Sequence, residues 1–572
     1  MNETIKVLPN FKKFKTYIKD VQDNVNPIML SGLTDVGKVH FAYATAFYTE
    51  KPICIITYNE MQAKKIIKDL QYFTDKIEYF PKREILTYNY LAESKDVSYQ
   101  RISCLNSIYT KNAKIIVTTI EAVSQKIIAK ESLYKNIVTI NKGKTLDLTE
   151  MKSKLTMLGY ERCDMVEAKS EFSIRGGIID IALSEKRGIR IELWGDEVDS
   201  IRYFDIASQR STDEKLENIK IYPAHEFILE DNLNGEEFET EDFEEIKNGD
   251  YLNKVDKYFN VFYKSQGTLI DYVKNDYVIF LDEIGKIKAR SENIIKDNEG
   301  VKKNLAERGK LIPQSLNNLN NYISFIEALK STQTIYLEKQ DIGFVDKQSM
   351  HAKRNGYSFS YREVNFFRSS MDLLLEEIQK SVESDKTIII ACGNSENIKK
   401  TKDLLKNSEE DILSESIIFT QGNLSTGFEC YDFNLIVISV TEVFSTPKKR
   451  RKLSTDFKQG ETVMFSELKV GDYIVHRING IGQFSGVSTI KADGIVKDYI
   501  KIKYRDDDIL YIPTNNLDSI RRYIGAGNRS PKVNRLGSKE WTNTKAKVKS
   551  NLKEVARDLI ELYAKREKLK GY

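Results

Sequence analysis

The stretch Ser31-Gly-Leu-Thr-Asp-Val-Gly-Lys-Val39 follows an apolar run and fits G-x-x-x-x-G-K from Gly32 to Lys38. That spacing lets a glycine-rich loop wrap its amides around phosphate oxygens while the lysine reaches the terminal phosphates. Two residues depart from the chemistry. Val39 stands where a Ser or Thr hydroxyl would ligate Mg²⁺, and Asp35 brings a negative charge into a loop whose amides should face an anion. A loop retained for its fold and without catalysis is the favoured reading, since a phosphate cradle lacking its metal ligand loses most of its purpose. Farther on, Leu281-Asp282-Glu283 ends a second apolar run. Such a carboxylate pair can hold Mg²⁺ and polarise water, although acidic residues at strand ends are common and inherited geometry accounts for them equally well.

A second group of candidates lies in Ile189-Arg-Ile-Glu-Leu-Trp194. Strand alternation puts Ile189, Ile191 and Leu193 on one face and Arg190, Glu192 and Trp194 on the other. Arg and Trp are enriched in binding hot spots, and Arg175 could stand nearby, ahead of a Gly176-Gly177 pair suited to a bulge. A second core layer under Trp194, with solvated arginines, explains the same pattern, and spacing alone leaves both readings open. Near the carboxyl end, Ile500, Ile502 and Tyr504 alternate with Tyr499, Lys501 and Lys503. A strand of this kind at a sheet edge can pair with a partner strand, although lysines on an edge also serve to prevent pairing. The basic run Lys448 to Lys452 has no interleaved aromatic platform and reads as an exposed linker. His40, His225, His351 and His476 have no convergent partner in sequence. Cys54, Cys104, Cys163, Cys392 and Cys430 form no CxxC pair, which suits buried free thiols in a reducing cytosol.

These groups must be carried by several cores, because 572 residues exceed what one core supports. The 41% apolar and 30% charged composition, with 31 Tyr and 26 Phe against 9 Pro, describes folded domains rather than a disordered tail. A net charge of +4 is too small to argue for a nucleic-acid binder. No apolar run approaches the ~20 residues that span a bilayer, so a cytoplasmic protein with no membrane partner is expected. Short apolar runs alternate with amphipathic stretches from Ile28 to about Ile140, which predicts α/β structure with a parallel sheet. Between Lys152 and Pro223 the period changes to two, which predicts an inserted antiparallel domain. Tyr277 to Glu283 returns to the first style, so the first domain is split, over 1–150 and 228–340 around an insertion at 151–227. A further α/β module is expected over 350–447, a linker over 448–464 and a β module over 465–525. A long helix over 536–572 carries an apolar stripe through Val548, Leu552, Val555, Leu559 and Leu562.

Three stretches, Glu171 to Ile181, Ile189 to Arg202 and Phe204 to Arg210, with Pro223-Ala-His-Glu-Phe227, resemble the UvrB-homology region of the bacterial transcription-repair coupling factors (Mfd). Val470 to His476, Gly480 to Phe484 and Asp498 to Tyr504 are similar to the RNA polymerase-interacting domain that this family shares with CarD-like regulators. The resemblance implies a degenerate RecA-like domain, an inserted UvrA-binding domain, and a small Tudor-like or CarD-like β-barrel leading to a helix. It implies that Arg175, Arg190 and Trp194 bind UvrA, the last usually phenylalanine in the family, and that Tyr499, Ile500 and Lys501 contact the RNA polymerase β subunit. ATP and Mg²⁺ would act in motor domains that track double-stranded DNA and lie outside these residues, leaving this portion without ATPase activity. A further carboxyl-terminal domain would cover the UvrA surface until the motor engages DNA. The rivals are a UvrB-like damage-verifying helicase, which needs an intact phosphate loop, and a CarD-like regulator, which leaves Arg175 to Arg210 without a purpose.

Overall fold

The computed structural model describes residues 3–83, 95–184, 186–226, 228, 265–307, 319–340, 355–364, 371–384, 386–406, 417–439, 470–476, 480–492, 495–505, 508–513, 520–523, 531 and 533–535. They fall into two units, divided near residue 449. The expected linker at 448–464 and the helix at 536–572 lie outside the described residues.

In the first unit the runs Ile28–Ser31, Ile53–Thr57, Ile115–Thr119, Val278–Asp282 and Thr334–Leu337 are strands of one seven-stranded parallel sheet. They are almost wholly apolar and buried, because helices cover both faces of the sheet. The order across the sheet is 355–358, 28–31, 334–337, 278–282, 53–57, 115–119, 77–80. One strand therefore separates the run ending at Ser31 from the run ending at Asp282, and both carboxyl ends open on the same edge. The strand Asn355–Ser358 belongs to this sheet, pairing with Ile28–Ser31, although the sequence pattern assigns it to the following module.

That module supplies a second, mixed sheet in the order 361–364, 427–430, 435–439, 387–391, 417–420. Thr387–Ala391 and Leu435–Ser439 pair in parallel. Their alternation divides the module between two cores. Ile388, Ile390, Ile436 and Ile438 pack with Leu374 and Ile378 of the helix Met371–Glu383. Ile389, Ala391, Leu435 and Val437 enter the same core as Phe14, Tyr17 and Phe41 of the first sheet's helices.

Between Ile115–Thr119 and Val278–Asp282 the chain leaves the parallel sheet and builds a six-stranded sheet, in the order 211–215, 197–205, 187–194, 178–182, 171–175, 161–162. Its pairings are antiparallel except at Glu161–Arg162. Phe172, Ile179, Ile181, Ile189, Ile191 and Ile201 pack on Met151 and Leu155 of the helix Leu148–Met157, and Ile140 and Leu146 join this core. Strands Val138–Asn141 and Asn218–Ile221 pair and clamp the entry to the exit. The insertion thus starts near Val138 rather than at 151, because its first strand must reach the last to close the domain. The Gly176-Gly177 pair is not a bulge. It is the two-residue turn between Arg175 and Ile178, with Gly176 at φ +60°, and the register shift lies at Glu192/Leu193.

The second unit holds a five-stranded antiparallel sheet in the order 509–513, 495–503, 480–492, 473–476, 520–522. Ile474, Phe484, Ile500, Ile502 and Tyr504 form its core. The expected edge at Tyr499–Lys501 is not an edge. That stretch pairs with Ile512, Tyr511 and Pro513 on one side and with Val487 and Ser488 on the other, because Ile509–Pro513 folds back antiparallel beside it.

Candidate functional site

At the parallel sheet, Thr34 caps the helix Asp35–Thr49, its side chain accepting from Gly37 N at 3.1 Å. The cap sets the helix start where a phosphate loop needs it, yet the loop is filled by the chain itself. Phe359 N donates to Ser31 O at 2.9 Å and Tyr361 N to Gly32 O at 3.1 Å. Gly32, at φ +74°, lies so close to Phe359 O that a Cβ would overlap it, and a Cβ on Gly37 would meet the Tyr361 ring at 2.7 Å. Lys38 turns inward. Buried to 3% exposure, it donates to Asp282 Oδ1 at 2.7 Å and to Glu283 Oε1. Thr57 Oγ1 donates to Asp282 Oδ2 at 2.8 Å, and Lys339 N to Glu283 Oε1 at 3.0 Å. Burial pushes the Lys38 pKa down, but the two carboxylates outweigh it and hold the ammonium charged. Glu283 sits at φ +59°, a conformation that non-glycine residues adopt at a cost.

Around this triad, burial pushes the Asp35 carboxyl up, but Lys339 at 2.8 Å and Lys65 at 2.7 Å outweigh it and bring its pKa to about 2. Burial pushes Glu338 up to about 7, and among the described residues its Oε2 has no hydrogen-bond partner. The space left between Asp35, Lys38, Ile55 and Asp282 is about 10 Å³, room for one water molecule at most. These residues do not fit a nucleotide with Mg²⁺: the lysine is committed, Val39 offers no ligand, and Phe359 O stands over the loop. Among the described residues no group of three or more His, Cys, Asp or Glu side chains could hold a metal ion, and no helix is long and apolar enough to cross a membrane. All five cysteines are free. His40 is buried, with Nε2 at 3.0 Å from Thr4 O and Nδ1 at 3.1 Å from the Tyr361 hydroxyl, and burial lowers its pKa to about 4.

On the inserted sheet the pairing Arg175↔Ile178↔Glu192 makes one row across the outer face, and Ser173↔Asp180↔Arg190↔Arg202 makes the next. Trp194 ends its strand 86% exposed, and the neighbouring Leu193 N donates to Gly177 O at 2.7 Å. Arg175 and Trp194 therefore share the end of one sheet, with Arg190 farther along the same face, and among the described residues no second core layer lies over the tryptophan. Asp180, a residue that spacing did not single out, lies between the arginines. It accepts from Arg190 Nε at 2.7 Å, Arg190 Nη2 at 2.9 Å and Arg175 Nη2 at 2.8 Å. Its signal was present as a lone acidic residue in the apolar run Ile178-Ile-Asp-Ile-Ala182.

In the second unit Ile500 is buried, Lys501 half-buried and Lys503 exposed. The hairpin Gly480–Ala492/Ile495–Lys503 outruns its neighbours. Pairing with Tyr473–His476 stops at Gln483, and pairing with Ile509–Pro513 begins only at Tyr499. Among the described residues, Ser485 to Ala492 and Ile495 to Asp498 therefore carry unpaired outer edges, next to the stretch expected from sequence.

The family described as UvrB interaction domain matches residues 138–227, and the family described as CarD-like/TRCF RID domain matches residues 468–524. The transcription-repair-coupling factor of Bacillus subtilis is 30% identical over 600 aligned positions, covering 98% of this chain and 50% of that protein. Those of Staphylococcus haemolyticus and Staphylococcus aureus are 28% and 29% identical, covering 99% and 95% of this chain and 51% and 49% of theirs. The chain spans about half the length of the curated relatives it matches. The two family matches fall on the inserted sheet and on the sheet of the second unit, and over 98% of its length this chain is similar to one half of a transcription-repair-coupling factor.

Proposed function

We propose that the chain is the adaptor portion of a transcription-repair coupling factor, which recognises stalled RNA polymerase and recruits UvrA for nucleotide excision repair. The outer face at Arg175 and Trp194 takes UvrA. The free edges at Ser485 to Ala492 and Ile495 to Asp498 take a strand of the polymerase β subunit, main-chain bonds supplying affinity. Tyr499 and Lys501 flank this edge, whereas Ile500 supports it from the core. The degenerate RecA-like sheet is a scaffold. ATP hydrolysis and movement on double-stranded DNA belong to other domains of such a protein.

The observation that carries this reading is the committed Lys38, buried against Asp282 and Glu283 under Phe359. It speaks against the nucleotide chemistry that the helicase rival requires. The test is calorimetric titration with Mg·ATP, alongside capture of the chain on immobilised UvrA and on polymerase. No nucleotide binding with both captures retained is expected. DNA-stimulated hydrolysis abolished by Lys38→Ala would restore the helicase reading, and polymerase capture without UvrA capture would restore the CarD-like one.

A further inference from the structure

We infer that Asp180 is the positioning residue of the UvrA-binding face, and that Arg190 acts through it rather than on the partner. The inference rests on the UvrA reading above.

Arg190 has little left to offer a partner. Its side chain is 17% exposed. Nε and Nη2 go to Asp180, while Nη1 lies 3.2 Å from Gln209 O and 3.4 Å from Ser211 Oγ. The guanidinium stacks 4.9 Å from the Phe204 ring centroid. All three nitrogens are thus spent on the sheet itself, and the bidentate geometry fixes the Asp180 carboxylate in turn. Asp180, 1% exposed, is left with one direction in which to bind, toward Arg175.

Arg175 is the opposite case. It is 48% exposed and, among the described residues, hydrogen-bonds through Nη2 alone. An arginine held through one Nη2 hydrogen keeps the other edge of its fork for an incoming carboxylate at reduced entropic cost. Trp194 stands at the same end of the sheet, with Ile178, 37% exposed, paired beside Arg175 in its row. The partner patch that fits is a carboxylate beside an apolar slot wide enough for an indole.

The experiment uses the whole chain and immobilised UvrA, with affinity read by surface plasmon resonance and folding by near-ultraviolet circular dichroism. Arg175→Ala tests the underlying reading and should weaken binding more than tenfold. Asp180→Asn, which keeps shape but loses the charge, should weaken it roughly as much. In the Arg175→Ala background, however, Asp180→Asn should cost less than twofold further, because its effect passes through Arg175. A residue with a merely structural role would add its full cost in both backgrounds.

Arg190→Lys separates contact from positioning. It retains the charge but loses the bidentate clamp, so binding should fall severalfold or more; a contact lysine would keep most of it. Unchanged binding with Arg175→Ala would overturn the UvrA reading itself. Loss with Arg175→Ala but full binding with Asp180→Asn, or full binding with Arg190→Lys, would leave that reading standing and overturn the positioning role. If Asp180→Asn does not fold, Arg190→Lys and its combination with Arg175→Ala carry the same two comparisons.

Discussion

At the residue scale, one lysine decides between two kinds of protein. In a working phosphate loop the lysine's partner is the nucleotide, and its replacement removes catalysis while the fold survives. Here Lys38 neutralises two buried carboxylates, so Lys38→Met should destabilise the first unit by about 3–5 kcal/mol. Urea unfolding checks this; a variant as stable as the parent would show that the triad is not a structural element. Glu338 makes a separate prediction. Burial raises its pKa from the ordinary carboxyl range to about 7, so the folded state holds a proton that the unfolded state releases between about pH 4.5 and 7. Stability contributed by this group is full below that window and falls as pH rises through it. Glu338→Gln should therefore gain about 3 kcal/mol at pH 8 relative to pH 4, read as a flattened melting temperature across that range. The sequence made Lys38, Asp282 and Glu283 visible as a set, and Val39 and Asp35 exposed the set as defective. What covers the loop was invisible, because Phe359 comes more than 300 residues later and reaches Gly32 through main-chain contact.

At the element scale, period-two alternation sorted faces correctly but could not name neighbours. It grouped Ile500, Ile502 and Tyr504 on one face, which is buried, and left Trp194 open between solvent and a second core layer, where the structure exposes it. It could not foresee that Ile509–Pro513 would cover the Tyr499–Lys501 stretch, since pairing partners are set by turns and register rather than by alternation. The register fixes a test of the free edge. Only two residues separate Ala492 from Ile495, so that pair exchanges hydrogen bonds, and Val496 and Asp498 direct their N–H groups away from the hairpin partner. Val496→Pro should leave the sheet folded, because no ladder bond is lost, and should abolish capture of polymerase. Retained capture by a folded Val496→Pro would move the polymerase site elsewhere. Gly32 is the matching test at the parallel sheet: Gly32→Ala, strained at positive φ and overlapping Phe359 O, should cost about 2–4 kcal/mol in urea unfolding.

At the scale of the whole molecule, shared cores determine which parts respond together. The strip Asn355–Ser358 adds to the first sheet, Phe359 covers the loop at Gly32, and Tyr361 opens the second sheet, so one short segment both covers that loop and joins the two α/β layers. Beneath it Phe428 of the second sheet packs 5.2 Å from His40 and 5.4 Å from Tyr361. The inserted sheet keeps a separate core of its own. Phe428→Ala should therefore cost about 3–5 kcal/mol and speed hydrogen exchange in both Ile28–Ser31 and Leu435–Ser439, while strands Ile178–Ala182 and Arg187–Trp194 keep their protection. Exchange accelerated only in Leu435–Ser439 would mean that the two layers unfold independently and that the segment at 355–361 is a tether. Coupled loss with an unchanged inserted sheet would make the closed loop the seam of a single scaffold, one able to hold its two α/β layers rigid while the inserted sheet remains thermodynamically its own.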